Sequence, residues 1–206
     1  MTEIAVTGAA GRMGREVLAA ATDREAFDVA FAVNRTSVDE RISGVVVESS
    51  DNFGALLAEY EPDVVVDFTG PESALTYADA CADVGVALVT GTTGFDDAGL
   101  DALQAAAEST AVLKASNFSR GVAALRLAVQ EATAALPDAD IELTETHHNA
   151  KRDAPSGTAK TLLDDIEDVR NDLNERVHGR EGEAPRDVEI GVHARRAGDI
   201  AGEHEV

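Results

Sequence analysis

Residues 145–158 read Glu-Thr-His-His-Asn-Ala-Lys-Arg-Asp-Ala-Pro-Ser-Gly-Thr. They bring two histidines, a lysine and a helix-opening sequence into one short stretch. An imidazole titrating near neutrality can deliver or remove a proton. Ser156 suits an N-cap, which puts Gly157 and Thr158 in the first turn, where backbone N–H groups attract a carboxylate. Lys151 and Arg152 add positive charge. The whole chain carries 39 Asp and Glu against 17 Lys and Arg, a formal net charge of −22. Against that background a cationic cluster focuses a small anion. Adjacent strand residues face opposite ways, so His147 and His148 should not act as one pair: one faces a ligand while the other packs or binds elsewhere. Opposed side chains with no cysteine partner argue against zinc, and no metal is expected. Two ordinary surface histidines are the plainer alternative.

A second chemical signal lies at the other end of the chain. An opening apolar strand runs into Gly8-Ala-Ala-Gly11-Arg12-Met13-Gly14, and a helix follows at once. Glycines at a strand-to-helix turn let the backbone approach a pyrophosphate, which the helix start then binds. The spacing is GxxGxxG rather than GxGxxG, and its context supports a dinucleotide more than the glycines alone do. A turn that only packs helix on strand is the alternative. The second strand ends in Val33-Asn34-Arg35. Asn34, at the position that would meet the adenosine ribose, carries no charge. Arg35 and Arg12 could pair with a 2′-phosphate, so NADPH is expected to be preferred, with NADH usable. A solvated strand-end arginine explains Arg35 nearly as well. Later strand ends, Asp67-Phe68-Thr69 and Thr90-Gly91-Thr92-Thr93-Gly94-Phe95, offer hydroxyl and backbone groups to the nicotinamide side. Asp67 could instead be a helix cap or turn residue. Together the two signals suggest hydride transfer to an acidic small molecule, with protonation of the neighbouring atom.

These groups need a scaffold. Apolar β-type runs at Glu3–Thr7, Asp28–Val33, Val45–Glu48, Asp63–Phe68, Ala87–Thr90 and Ala111–Lys114 alternate with helical runs at Arg12–Thr22, Phe53–Tyr60, Glu72–Val84 and Asp97–Glu108. Alternation of this kind predicts a Rossmann-like, doubly wound parallel sheet with helices on both faces. After Asn117 the pattern changes to a helix over 120–135, a strand Asp140–His148, a helix over 157–173, an exposed loop His178–Arg186, and strands Asp187–Ala194 and Asp199–Val206. We read an α/β chain of two domains: a dinucleotide-binding domain over 1–118 and a smaller α+β domain for substrate and oligomerisation over 119–206. The last strand has no cap and no partner after it.

Bulk composition narrows the partners. With 44% apolar residues a core can be buried. The acidic surface repels nucleic acid and anionic lipid, so neither is an expected partner. Cys81, the single cysteine, reads as a small buried hydrophobe. No apolar run approaches 18 residues and no leader precedes the first strand, which points to a cytoplasmic protein.

The motifs stand in a recognisable order. They are Gly8–Gly14; Asp67-Phe-Thr69 with Pro71-Glu72; Gly91-Thr-Thr-Gly-Phe95; Ser116-Asn-Phe-Ser-Arg-Gly-Val122; Glu145-Thr-His-His148; Lys151 with Asp153-Ala-Pro-Ser-Gly-Thr158; and Arg196-Ala-Gly-Asp-Ile-Ala-Gly-Glu-His204. In this the chain resembles the dihydrodipicolinate reductase family. The resemblance implies reduction of the cyclic dicarboxylate hydroxytetrahydrodipicolinate by NAD(P)H. It implies that His147 is the general acid/base, with Lys151 as its helper or a substrate ligand. His148, Gly157 and Thr158 would hold the substrate carboxylates, and Gly91, Thr93, Ser116, Asn117 and Phe118 would line the cofactor and hinge side. Homotetramers built through the second domain's sheet are typical of the family. Asn149-Ala150 replace the Arg-His often found there, which puts substrate contacts from those positions in doubt. Family members usually continue beyond the Gly-Glu-His segment. The second domain is therefore expected to be incomplete at Val206, with an open sheet edge and assembly dependent on the usual C-terminus. Two alternatives stand beside this reading: another two-domain NAD(P)-dependent oxidoreductase, and a non-catalytic nucleotide-binding relative.

The acidic excess runs along the whole chain, which points to adaptation to high salt, where ions screen self-repulsion. Melting in a KCl series should show Tm rising from low salt. A flat or falling Tm there would count against the adaptation.

Overall fold

The computed structural model describes residues 1–206 apart from Ser37, Asn174 and Ala184, with only the backbone of Asp39 and Glu40. The chain divides into two compact units, Met1–Ala115 and Ser116–Val206.

The first unit opens with β1 (Thr2–Thr7), α1 (Arg12–Thr22), β2 (Phe27–Asn34), β3 (Val38–Ile42) and β4 (Val45–Ser49). Then come α2 (Phe53–Tyr60), β5 (Val64–Asp67), α3 (Pro71–Val84), β6 (Ala87–Thr90), α4 (Asp97–Ala106) and β7 (Val112–Lys114). Its seven-stranded sheet has the order β3-β4-β2-β1-β5-β6-β7. Every pairing is parallel except β3 with β4. The order reverses at β1, with β2 on one side and β5 on the other. That leaves a crevice at the carboxyl ends of the central strands. Alternation along β1 feeds two cores: Ile4 and Val6 pack with Leu18 of α1, while Ala5 packs with Phe53, Leu57, Cys81 and Leu103 from the other helices.

The sequence reading missed β3. Its charged centre, Asp-Glu-Arg, hides the apolar pattern. Ser43 (φ 50°) and Gly44 (φ 82°) make a two-residue turn with both φ positive, and Ile42 pairs with Val45. That geometry is the one a hairpin prefers.

The second unit contains α5 (Arg120–Ala135), β8 (Ile141–His147), α6 (Gly157–Val169), β9 (Glu175–His178), β10 (Glu189–Arg196) and β11 (Glu203–Glu205). Its sheet order is β11-β8-β10-β9, with β8, β10 and β9 parallel and β11 antiparallel to β8. Ile141, Leu143, Ile190 and Val192 face Leu162, Leu163 and Ile166 of α6 in one core. α6 stops at Val169, short of the expected 173, and β9 begins at Glu175. Val177 is the only aliphatic residue of that strand, too weak a signal to read. Within the expected loop His178–Arg186, His178 closes β9 and Ala184 lies outside the described residues. The final strand is shorter than Asp199–Val206, and it forms one edge of the sheet, with Glu203 to Glu205 paired to Thr144 to Thr146 of β8. Gly202, at φ 153°, precedes it.

Asp67 is neither a helix cap nor a turn residue. It ends β5 fully buried, with 0% exposure. Its Oδ1 accepts from the hydroxyls of Thr7 and Thr69 (2.7 and 2.6 Å), and its Oδ2 from those of Thr90 and Thr92 (both 2.7 Å). Thr92 in turn accepts the Thr69 N–H at 3.0 Å. One carboxylate thereby ties the ends of β1, β5 and β6 and the loops that leave them. Asp67→Ala should lower unfolding stability by about 2–3 kcal/mol, the scale of lost buried hydrogen bonds to a charged group. Urea denaturation measures it, and a change under about 0.5 kcal/mol, as for an ordinary surface substitution, would overturn the assignment.

Candidate functional site

In the first unit the glycines shape a cradle. Gly8 has φ 66°, and a Cβ there would lie 2.9 Å from the Phe68 carbonyl oxygen. A Cβ at Gly14 would overlap the Gly8 carbonyl, so the first turn of α1 packs directly on the end of β1. Gly11 is the N-cap of α1 and no side chain caps this helix. Arg12 and Met13 are exposed on its first turn. An open cleft of about 410 Å³ is lined by Gly8, Gly11, Asn34, Arg35, Phe68 and Tyr77, among others. It thus joins the turn to the end of β2, where Asn34 donates to the Thr36 carbonyl at 3.3 Å and Arg35 is exposed. The Phe68 ring lies against Gly91, where any side chain would overlap it. Thr93 is exposed, whereas its neighbour Thr92 is buried on Asp67. Uncapped helix N–H groups, a close glycine backbone and a flanking arginine fit the phosphates and ribose of a dinucleotide.

In the second unit β8 carries Ile141, Leu143, Glu145 and His147 on its buried face. Two apolar residues are thus followed by two ionisable ones. Glu145 is fully buried and His147 is 9% exposed. Arg196, at the end of β10, donates to both Glu145 oxygens at 2.7 and 2.8 Å. The Ser156 N–H donates to Glu145 Oε1 at 3.0 Å, and His147 Nδ1 lies 2.6 Å from Oε2. Burial pushes the Glu145 carboxyl up, but Arg196, His147 and the Ser156 N–H outweigh it and hold its pKa below the ordinary value.

Ser156 does cap α6, its hydroxyl accepting the Ala159 N–H at 3.1 Å. The same hydroxyl lies 3.0 Å from His204 Nε2, and the His204 ring meets that of His147 edge-on with centroids 5.2 Å apart. Burial, then the neighbouring His147, lowers the His204 pKa, which favours its neutral form. The histidine partner of His147 is therefore His204 from β11, not the adjacent His148. His148 is half-buried just past the strand. Lys151 Nζ pairs with Asp153 at 2.8 Å. Gly157 and Thr158 open α6, and Thr158 accepts from Asn117 Nδ2 at 3.0 Å. The Ser116 hydroxyl is 3.0 Å from that of Thr161, and Phe118 is exposed. Among the described residues no group of three His, Cys, Asp or Glu is placed to hold a metal ion, and no helix is long and apolar enough to cross a membrane.

Sequence reasoning named His147, Lys151, Gly157 and Thr158 but gave no role to Glu145, Arg196 or His204. The period-two spacing of Glu145 and His147 was the available signal. Arg196 stands in the Arg196–His204 motif, but at 51 residues from Glu145 no local spacing ties it to that carboxylate.

The chain matches the family model described as dihydrodipicolinate reductase, N-terminus, over residues 2–118, and the C-terminus model over 121–206. It belongs to the dihydrodipicolinate reductase family. It is 53% identical to the 4-hydroxy-tetrahydrodipicolinate reductase of Haloarcula marismortui over 207 residues, which cover 100% of this chain and 81% of that protein. The reductase of the same name from Natronomonas pharaonis is 52% identical over 98% of this chain and 80% of its own length. A solved dipicolinate-bound dihydrodipicolinate reductase from Paenisporosarcina sp. TG-14 superposes with a TM-score of 0.77 at 27% identity, covering 99% of this chain and 82% of that one. Family membership accounts for the Rossmann-like first unit and the smaller second sheet together.

The depressed Glu145 pKa links site and stability. Its carboxylate contributes stability that is present above the unfolded glutamate pKa of about 4.3 and is lost as pH falls through the lower folded value. Chemical denaturation between pH 6 and pH 3 should therefore show a steeper acid loss for the parent than for Glu145→Gln. Parallel acid limbs would contradict the shift.

Proposed function

We propose that this chain reduces 4-hydroxy-tetrahydrodipicolinate to tetrahydrodipicolinate with NAD(P)H, in the diaminopimelate route to lysine. The observation that carries the reading is His147: an imidazole with Nδ1 on a buried carboxylate that also accepts the N–H of Ser156, the N-cap of α6, in a chain of this family. The relatives' names supply the substrate.

When bound, the reduced nicotinamide supplies the hydride. Gly8, Gly11 and Gly14 would admit its pyrophosphate to the start of α1, with Arg12 and Met13 on that turn, Asn34 and Arg35 at the adenosine ribose and Phe68, Gly91 and Thr93 toward the nicotinamide. Ser116, Asn117 and Phe118 would complete that side. The N–H groups of Gly157 and Thr158 would hold one substrate carboxylate, and His148 and Lys151 the other, Lys151 exchanging Asp153 for it. His147 would deliver a proton from Nε2 to the atom beside the new C–H bond, and Glu145 would stabilise the imidazolium before the transfer. NADPH is the preferred donor in this reading, through Arg12 and Arg35. The protein would act in the cytoplasm as a homotetramer assembled through its second sheet.

The test is NADPH oxidation with enzymatically generated substrate. His147→Ala should lower kcat by about 10²-fold or more, and kcat/KM should be higher with NADPH than with NADH. A His147→Ala enzyme retaining parental kcat would remove the proton-donor role. Equal or better kcat/KM with NADH would remove the cofactor preference.

A further inference from the structure

A fully buried carboxylate on the apolar face of a strand is costly unless its acceptor positions are filled. Glu145 continues the row of Ile141 and Leu143, where a leucine or valine would fit the core. Arg196 and the Ser156 N–H supply three donors, enough to compensate its charge. The remaining position is spent on the imidazole of His147, at 2.6 Å.

We propose that Glu145 is a positioning residue for His147. Its carboxylate fixes Nδ1 as the protonated nitrogen and turns Nε2 toward substrate, while the two-pronged bond from Arg196 keeps that carboxylate ionised. The inference rests on His147 being the proton donor proposed above. A carboxylate on one ring nitrogen sets the tautomer and leaves the other nitrogen for chemistry. The surroundings agree. Nε2 of His147 lies beside the bare backbone of Gly202, where a Cβ would approach it to 2.9 Å. His204 meets the ring edge-on and is favoured in its neutral form, so it adds no competing charge there. Lys151, in the loop between β8 and α6, is already paired with Asp153.

The alternative is that Glu145 merely anchors the start of α6 and the end of β10. Glu145→Gln separates the two. Oε1 receives Ser156 and Arg196, neither of which can become an acceptor, whereas Oε2 receives one Arg196 N–H and the His147 imidazole, which can, so the Gln carbonyl belongs at Oε1. Its amide nitrogen then falls opposite His147 Nδ1, which must become an acceptor, and the proton moves to Nε2.

The experiment is long-range ¹H–¹⁵N spectroscopy of histidine-labelled full chain, with His147 assigned through His147→Gln, alongside steady-state kinetics. The parent should show neutral His147 protonated at Nδ1. Glu145→Gln should show it protonated at Nε2, with kcat lower by about 10–100-fold and the KM for NADPH within about twofold. Two results would overturn the proposal. One is an Nε2-protonated His147 in the parent, which needs no variant to fold. The other is a folded Glu145→Gln that keeps both the Nδ1 proton and the parental kcat. If the tautomer switches but kcat holds, the positioning role stands and the proposed part of His147 in the reaction fails.

Discussion

A carboxylate removed from water must be given its full set of donors, and the two units meet that requirement at the carboxyl ends of their strands in different ways. Asp67 is held by four neutral hydroxyls. Glu145 is held by a guanidinium, an N–H and an imidazole. Asp67 anchors the ends of three strands and Glu145 the ends of β8 and β10 together with the N-cap of α6, and the loops so anchored carry residues of the candidate sites. Disturbing either carboxylate would therefore reach beyond the loss of one contact.

The donors decide what each carboxylate can do. Threonine hydroxyls around Asp67 offer geometry without a titrating partner, so it acts as a fixed tie between β1, β5 and β6. Glu145 instead touches the imidazole of His147. Its charge is therefore felt as an electrostatic field on the imidazole. Arg196 matters to both roles. Removing it would leave an uncompensated buried charge beside His147.

The acidic surface and the cationic site act in the same direction. Most ion pairs of the second unit lie on exposed or half-exposed side chains: Arg176 with Asp164 and Glu167, and Arg180, Arg186 and His193 around Glu142. Such pairs are screened by salt and contribute little one by one. The buried pair of Glu145 with Arg196 is screened far less. The site is thus insulated from the ionic conditions to which the surface responds.

Periodicity and turn chemistry determined much of the structure from the sequence alone. β-branched runs alternating with helical runs gave the parallel sheet, the glycines after β1 gave the cradle, and Ser156 gave the cap of α6, because each depends on residues within a few positions of one another. The strand β3 was hidden by its run of charged residues, Asp-Glu-Arg, and β9 by having a single aliphatic residue. Only the tertiary structure decided which histidine pairs with His147, why Asp67 is buried, and what neutralises Glu145. The donors to Asp67 come from residues 7, 69, 90 and 92, and Arg196 and His204 reach the β8 pair from two other strands. Hydrogen bonds between strands follow from sheet order and register, and local spacing carries no record of either.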